Sequence, residues 1–231
     1  MDAQHMALVQ GWDRTRLALA GWNRDPGPAL GRWAAGGLTV ALVLLVGVWA
    51  VASVSTPDPS PLARGATRSG TWSDVASVLW RNSLVLALHA MACVAGFIAG
   101  SSLPLVAQEK RGAWRVIHDR AGPLAIAFVA GATLFSLSTQ AYVLGASAST
   151  VAAHLHISPA RLLVALAPHA LLELTALFLP LAAWIMASRR GRWDELLAAT
   201  LVTVGLAVPA LVVAALLEVY VSPHLVAFVR G

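Results

Sequence analysis

The chain first becomes continuously apolar over residues 32–54, which read RWAAGGLTVALVLLVGVWAVASV. A helix needs about 20 apolar residues to cross the hydrocarbon core of a bilayer, and this stretch meets that length. Four more stretches of the same character follow, at residues 80–105, 122–144, 162–188 and 196–218. The sequence lacks the alternating segments of about 10 residues that are typical of a membrane β-barrel. It therefore predicts an all-α, polytopic membrane bundle with five transmembrane helices.

Composition supports a membrane protein without a second globular domain. Of the 231 residues, 12% are charged, whereas about a quarter of a soluble domain is charged. We expect residues 1–30 to form a cytoplasmic lead, which holds either a short interfacial helix or a disordered basic anchor. Residues 31–225 would form the membrane domain and residues 226–231 an external tail. The net charge of +5 is spread between apolar stretches, which suits lipid headgroups and not nucleic acid.

Basic residues in the short connections predict the orientation, because Lys and Arg favour the cytoplasmic side. With a cytoplasmic N-terminus, eleven basic residues would lie inside and five outside. The inside set is Arg14, Arg16, Arg24, Arg32, Lys110, Arg111, Arg115, Arg120, Arg189, Arg190 and Arg192. We therefore expect a multi-pass protein of the cell membrane, N-in and C-out, in contact with membrane lipids.

Polar side chains within the apolar stretches indicate a candidate site. The second stretch contains His89, the third Ser136 and Gln140, and the fourth His169 and Glu173. His169 and Glu173 are four residues apart and share one helix face. Because polar groups are costly in lipid, and because these groups lie at similar depth, we expect an intramembrane polar cluster or a pocket that opens outward. A purely structural lock between His169, Glu173 and neighbouring helices is the alternative.

Two smaller features complete the candidate residues. Arg81 and Asn82 begin the second stretch at the depth where Glu218 ends the fifth. They suggest either an Arg81–Glu218 pair at the outer interface or side chains that reach the headgroups separately. Gly96 and Gly100 form a GxxxG motif, which lets another helix pack closely. We assign no catalytic residue, no metal ligand and no cofactor.

Three segments carry a resemblance to a known family. They read RNSLV at residues 81–85, PHALLELTA at residues 168–176 and AALLEVYVSP at residues 214–223. In this order and separation they resemble the stage II sporulation protein M family of integral membrane proteins. Ser83 departs from the pattern, since the family usually shows a second Asn there. The resemblance implies a membrane component of cell-envelope processes, because the founding member works with peptidoglycan-degrading partners during engulfment.

The sequence is compatible with three functions. The favoured one is a non-catalytic scaffold that positions envelope enzymes or other membrane proteins, with self-association also open. The alternative is a transporter or lipid-handling protein in which His169 and Glu173 accept protons. An intramembrane metal-dependent hydrolase would use His89, His169 and Glu173, although their spacing matches no metal-binding motif.

Overall fold

The computed structural model describes residues 3–59, 70–98, 112 and 121–231. Helices dominate these ranges, and no strand occurs within them. In chain order they are α1 (Ala3–Arg24), α2 (Gly27–Val54), α3 (Trp72–Phe97), α4 (Ala121–Leu155), α5 (Pro159–Arg189), α6 (Leu196–Leu216) and α7 (Ser222–Arg230). A 3₁₀ turn at Trp193–Glu195 precedes α6, and a π-helical turn at Leu217–Val221 joins α6 to α7.

Five segments of the described ranges are long and apolar enough to cross a membrane. They are Gly27–Val54, Trp72–Phe97, Ala127–Leu155, Pro159–Arg189 and Trp193–Arg230. The predicted fold class, an all-α bundle with five transmembrane helices, is therefore confirmed. The N-in, C-out orientation stays a prediction. Gly100 of the predicted GxxxG motif lies outside the described residues. The same holds for the basic residues of the predicted central connection, which are Lys110, Arg111, Arg115 and Arg120.

The helix of the second stretch starts earlier than residue 80. The sequence predicts a short helix over residues 71–80 that lies at the outer surface and leads into the second stretch, and α3 runs without a break from Trp72 to Phe97. Thr71 donates from its backbone N–H and from Oγ1 to Asp74 Oδ2, each at 2.7 Å, and Asp74 N–H donates to Thr71 Oγ1 at 3.4 Å. This reciprocal capping box begins the helix ahead of the apolar stretch. The predicted helix over residues 71–80 is thus the first part of α3.

The helix of the third stretch also continues past its predicted end at residue 144. No proline interrupts residues 145–155, and α4 extends to Leu155. His156 then adopts a positive φ of 57°, and the next amide, of Ile157, donates to the Ala152 carbonyl at 3.0 Å. This arrangement is a Schellman-type helix end, with a histidine in the position that glycine usually takes. In the sequence, Ser158 and Pro159 predict a helix start, because proline is favoured at the first helical position, and α5 begins at Pro159.

Residue contacts divide the chain into two compact units. The first comprises Met1–Gly37, Val85–Ala132 and Leu177–Ala207. The second comprises Leu38–Leu84, Thr133–Ala176 and Val208–Gly231.

In the first unit, α3 and α5 pack closely because Gly96 has no side chain. A Cβ atom at Gly96 would lie 2.5 Å from Nε1 of Trp184 and 3.2 Å from Leu196. One turn away along α3, the Cys93 thiol donates to the Pro180 carbonyl at 3.2 Å. The indole of Trp184 therefore lies directly against the backbone of α3.

In the second unit, the first half of α3 packs against the end of α6 and the π-helical turn that follows it. Their shared apolar core consists of Val75, Val78, Ala215 and Val219. The rings of Trp72 and Tyr220 meet edge to face, with centroids 6.0 Å apart. This packing fixes the register of α3, which carries Arg81 and Asn82, against the π-helical turn, which carries Glu218.

The second unit also holds α2 against α4. Gly145 is buried at their closest approach, where a Cβ atom would lie 2.5 Å from Val51 Cβ. Beyond it, Ser149 Oγ donates to the Ser55 carbonyl at 3.0 Å. Glycine at position 145 therefore permits a contact between the helices that a larger residue would prevent.

Candidate functional site

The π-helical turn at Leu217–Val221 sets the geometry of the candidate site. Pro223 has no N–H, so the α-helical hydrogen-bond pattern cannot continue to this residue. In the π-helical turn, Ser222 donates its backbone N–H to the Leu217 carbonyl. The extra residue in this turn changes the direction of the side chains around Glu218, as π-bulges often do at functional sites.

Ser222 connects this turn to α5 through His169. Its hydroxyl donates to the Leu217 carbonyl at 3.1 Å, and its Oγ lies 2.6 Å from His169 Nδ1. When the single hydroxyl hydrogen of Ser222 goes to Leu217, His169 donates from Nδ1 to Ser222 Oγ, and Nε2 of the neutral ring is an acceptor.

Glu173, one turn further along α5, lies at the centre of a group that we call the carboxylate cluster. The cluster comprises Glu173, Glu218, Arg81 and Asn82, and Glu173 interacts electrostatically with both charged partners. Glu218 also interacts electrostatically with Arg81. Residues from α3, α5 and the π-helical turn thus meet within the second unit.

Asn82 is the most buried member of the carboxylate cluster, with 8% of its surface exposed. Its side chain faces Glu173 and interacts with it. However, no partner within the described part of the chain makes a hydrogen bond of normal geometry with Asn82 Nδ2. A buried amide in this state is costly, so a further acceptor at this position would stabilise it.

A cavity of about 330 Å³ adjoins the carboxylate cluster within the second unit. Its walls come from α2, α4 and α5 and are mainly Leu, Val and Ala. Its polar lining consists of Ser147, His169, Glu173 and Glu218. Because carboxylates and a neutral imidazole nitrogen are acceptors, this lining is suited to a ligand that donates hydrogen bonds.

The other predicted site residues are not among those described as lining the cavity. Gln140 donates from Nε2 to Ser136 Oγ at 3.1 Å, along one face of α4, and neither residue is among those described as lining the cavity. His89 belongs to the first unit, where its ring meets Phe178 edge to face with centroids 5.6 Å apart. A single polar cluster that contains all five residues therefore stays a prediction. No group of three or more His, Cys, Asp and Glu side chains in the described ranges could hold a metal ion.

From the sequence, Glu173 is expected near the middle of the membrane, whereas Arg81 and Glu218 are expected at its outer interface. Ser222 is not among the site residues expected from the sequence. The structure brings Glu173 into the same neighbourhood as Arg81 and Glu218. One feature of the sequence points to Ser222 as a site residue. Pro223 directly follows it and interrupts the helical hydrogen-bond pattern there.

Five helices that are long and apolar enough to cross a membrane, with ionisable side chains among them, define a multi-pass integral membrane protein. The profile of the family described as stage II sporulation protein M (SpoIIM) matches residues 38–223, so the chain belongs to this family. The matched region includes all three segments on which the resemblance rests. Comparison with curated proteins and with solved structures gives no match.

Proposed function

We propose that this protein is a multi-pass component of the cell membrane that acts as a non-catalytic scaffold in cell-envelope processes. Membership of the SpoIIM family supports this proposal. The scaffold would position an envelope enzyme, or another membrane protein, through contacts made inside the bilayer. Helix-to-helix contact within the membrane requires a helix whose face is not already covered by its own chain.

The exposure of helix α4 is the observation that supports the proposal. In the most apolar part of α4, only 6% of the residues are buried within the protein. In the most apolar part of α5, 39% of the residues are buried. Ser136 is exposed on this helix, although it bonds to Gln140, and Phe135 is 75% exposed. Polar side chains in lipid favour contact with another helix, because bonding across helices satisfies them. A partner helix on α4 would cover both the polar and the aromatic side chains.

Site-specific photo-crosslinking in native membranes tests this proposal. A photoreactive phenylalanine analogue replaces Phe135 on α4, and a control replaces Val43, which is 66% exposed on α2. We expect a protein adduct from position 135 and lipid adducts alone from position 43. An adduct with twice the mass of the chain would identify a second copy as the partner. Lipid adducts alone from both positions would contradict the scaffold.

A second candidate function is favoured by the cavity of about 330 Å³ beside the carboxylate cluster. Ionisable side chains that face a cavity inside a membrane protein are typical of transporters and of proteins that handle lipids. Purified protein in vesicles should then move a labelled lipid or solute, and Glu218→Gln should reduce that rate. Vesicles that show neither lipid movement nor solute flux, with and without a pH gradient, would exclude this candidate.

A further inference from the structure

The carboxylate cluster contains more negative than positive charge. Arg81 contributes one formal positive charge, whereas Glu173 and Glu218 contribute two negative charges when both are ionised. An unbalanced charge is costly in a low-dielectric environment, so a proton or a bound cation must compensate for it. Both carboxylates line the cavity, which provides space for a bound cation.

The acceptors that face the cavity point to the type of cation. His169 lines the cavity, and in the tautomer that donates from Nδ1 to Ser222 Oγ, 2.6 Å away, its Nε2 is an acceptor. Glu173 and Glu218 supply acceptors only. A primary ammonium group has three N–H donors, which match these three side chains.

The lining also limits the type of amine. The described lining of the cavity contains no Phe, Tyr or Trp, whereas quaternary ammonium groups are recognised by aromatic cages.

The remaining walls indicate what accompanies the ammonium group. Apolar side chains of three helices form most of the lining. The volume of about 330 Å³ equals roughly eleven times the ~30 Å³ that one water occupies in the liquid. This space is large enough for a headgroup and the start of an acyl chain, and too large for a bare metal ion.

We infer that the cavity between α2, α4 and α5 binds an amphipathic molecule through a primary ammonium group, which Glu173, Glu218 and His169 receive. The ligand class is an aminated lipid or another amine with an apolar chain. This inference deepens the second candidate function and does not depend on the scaffold. It assigns Glu218 the role of a ligand-binding residue, and Arg81 the role of neutralising the second carboxylate.

Native mass spectrometry of the full chain in neutral detergent tests the inference. The probes are dioleoyl phosphatidylethanolamine and dioleoyl phosphatidylcholine, which differ only in the primary or quaternary headgroup. We expect the ethanolamine lipid to bind about tenfold more tightly, because it alone forms charge-assisted hydrogen bonds with the carboxylates. Glu218→Gln should abolish this preference. Glu195→Gln, which removes one carboxylate from the first unit, is the matched control and should retain it.

A second measurement remains informative if Glu218→Gln fails to fold. Hexylamine should displace the ethanolamine lipid from the wild-type protein, whereas hexanol should not. Displacement by hexylamine without any preference between the two lipids would identify a soluble amine as the ligand and retain the site. Equal binding of both lipids with no effect of hexylamine would overturn the inference.

The two measurements, of lipid binding and of lipid movement, test the inference and the transport candidate separately. Selective binding of the ethanolamine lipid without lipid movement would support the site and exclude the transport candidate. Movement of both lipids without selective binding would overturn the inference and leave lipid handling in place.

Discussion

Replacing Gly145 with Ala should destabilise the contact between α2 and α4. A Cβ atom at this position would lie 2.5 Å from Val51 Cβ and 2.9 Å from the Val48 carbonyl oxygen. The first distance is about 0.9 Å shorter than the 3.4 Å at which ordinary contact begins. The second involves a backbone atom, so a change of side-chain rotamer cannot relieve it, and the two helices must move apart.

The expected magnitude follows from two opposing effects. Overpacking at a closely packed position costs about 1–3 kcal/mol. Alanine is a better helix former than glycine by about 0.8–1 kcal/mol, which partly offsets that cost. Gly131, on the same helix, is the matched control, because a Cβ atom there has no heavy atom within 4 Å. Gly131→Ala therefore shows the helix-propensity effect alone.

The assay is reversible unfolding in mixed detergent micelles, followed by helical circular dichroism. We expect the free energy of unfolding of Gly145→Ala to lie about 1–3 kcal/mol below that of Gly131→Ala, since the propensity effect is common to both variants. Equal free energies of unfolding for the two variants would refute the close approach of α2 and α4.

Two further variants test other contacts by the same measurement. Ser222→Ala removes the hydrogen-bond partner of His169 Nδ1 and should lower the free energy of unfolding by about 1–3 kcal/mol, because a buried polar group loses its partner; unchanged stability would exclude that bond. Gly96→Ala would place a Cβ atom 2.5 Å from Trp184 and should destabilise the protein, whereas Gly205→Ala meets nothing within 4 Å and should not. Equal stabilities for these two glycine variants would argue against the close packing of α3 on α5.

The number and type of the membrane helices could be predicted because about 20 consecutive apolar residues have few other stable solutions in a bilayer. Their ends could not be predicted from hydrophobicity alone. The capping box at Thr71 and Asp74 starts α3 in a polar segment, and the helix end at His156 depends on a residue with a positive φ. Both are local hydrogen-bond arrangements that hydropathy does not record.

The candidate site was partly predictable for a similar reason. Glu173 and Glu218 stand out because charged residues are rare in apolar stretches. Their shared neighbourhood could not be derived from depth along ideal helices, since a π-helical turn at Leu217–Val221 changes the direction of the residues around Glu218. The contact of Ser222 with His169 depends on the same turn.

The central claim is that Arg81, Glu173 and Glu218 form one electrostatic unit. A double-mutant cycle with Arg81→Gln and Glu218→Gln, read as free energy of unfolding, tests it most directly. Arg81→Gln alone leaves two carboxylates without a cation, so adding Glu218→Gln should restore stability, with a coupling energy of about 0.5–3 kcal/mol. Effects that simply add, so that the double variant is the least stable of all, would contradict the account.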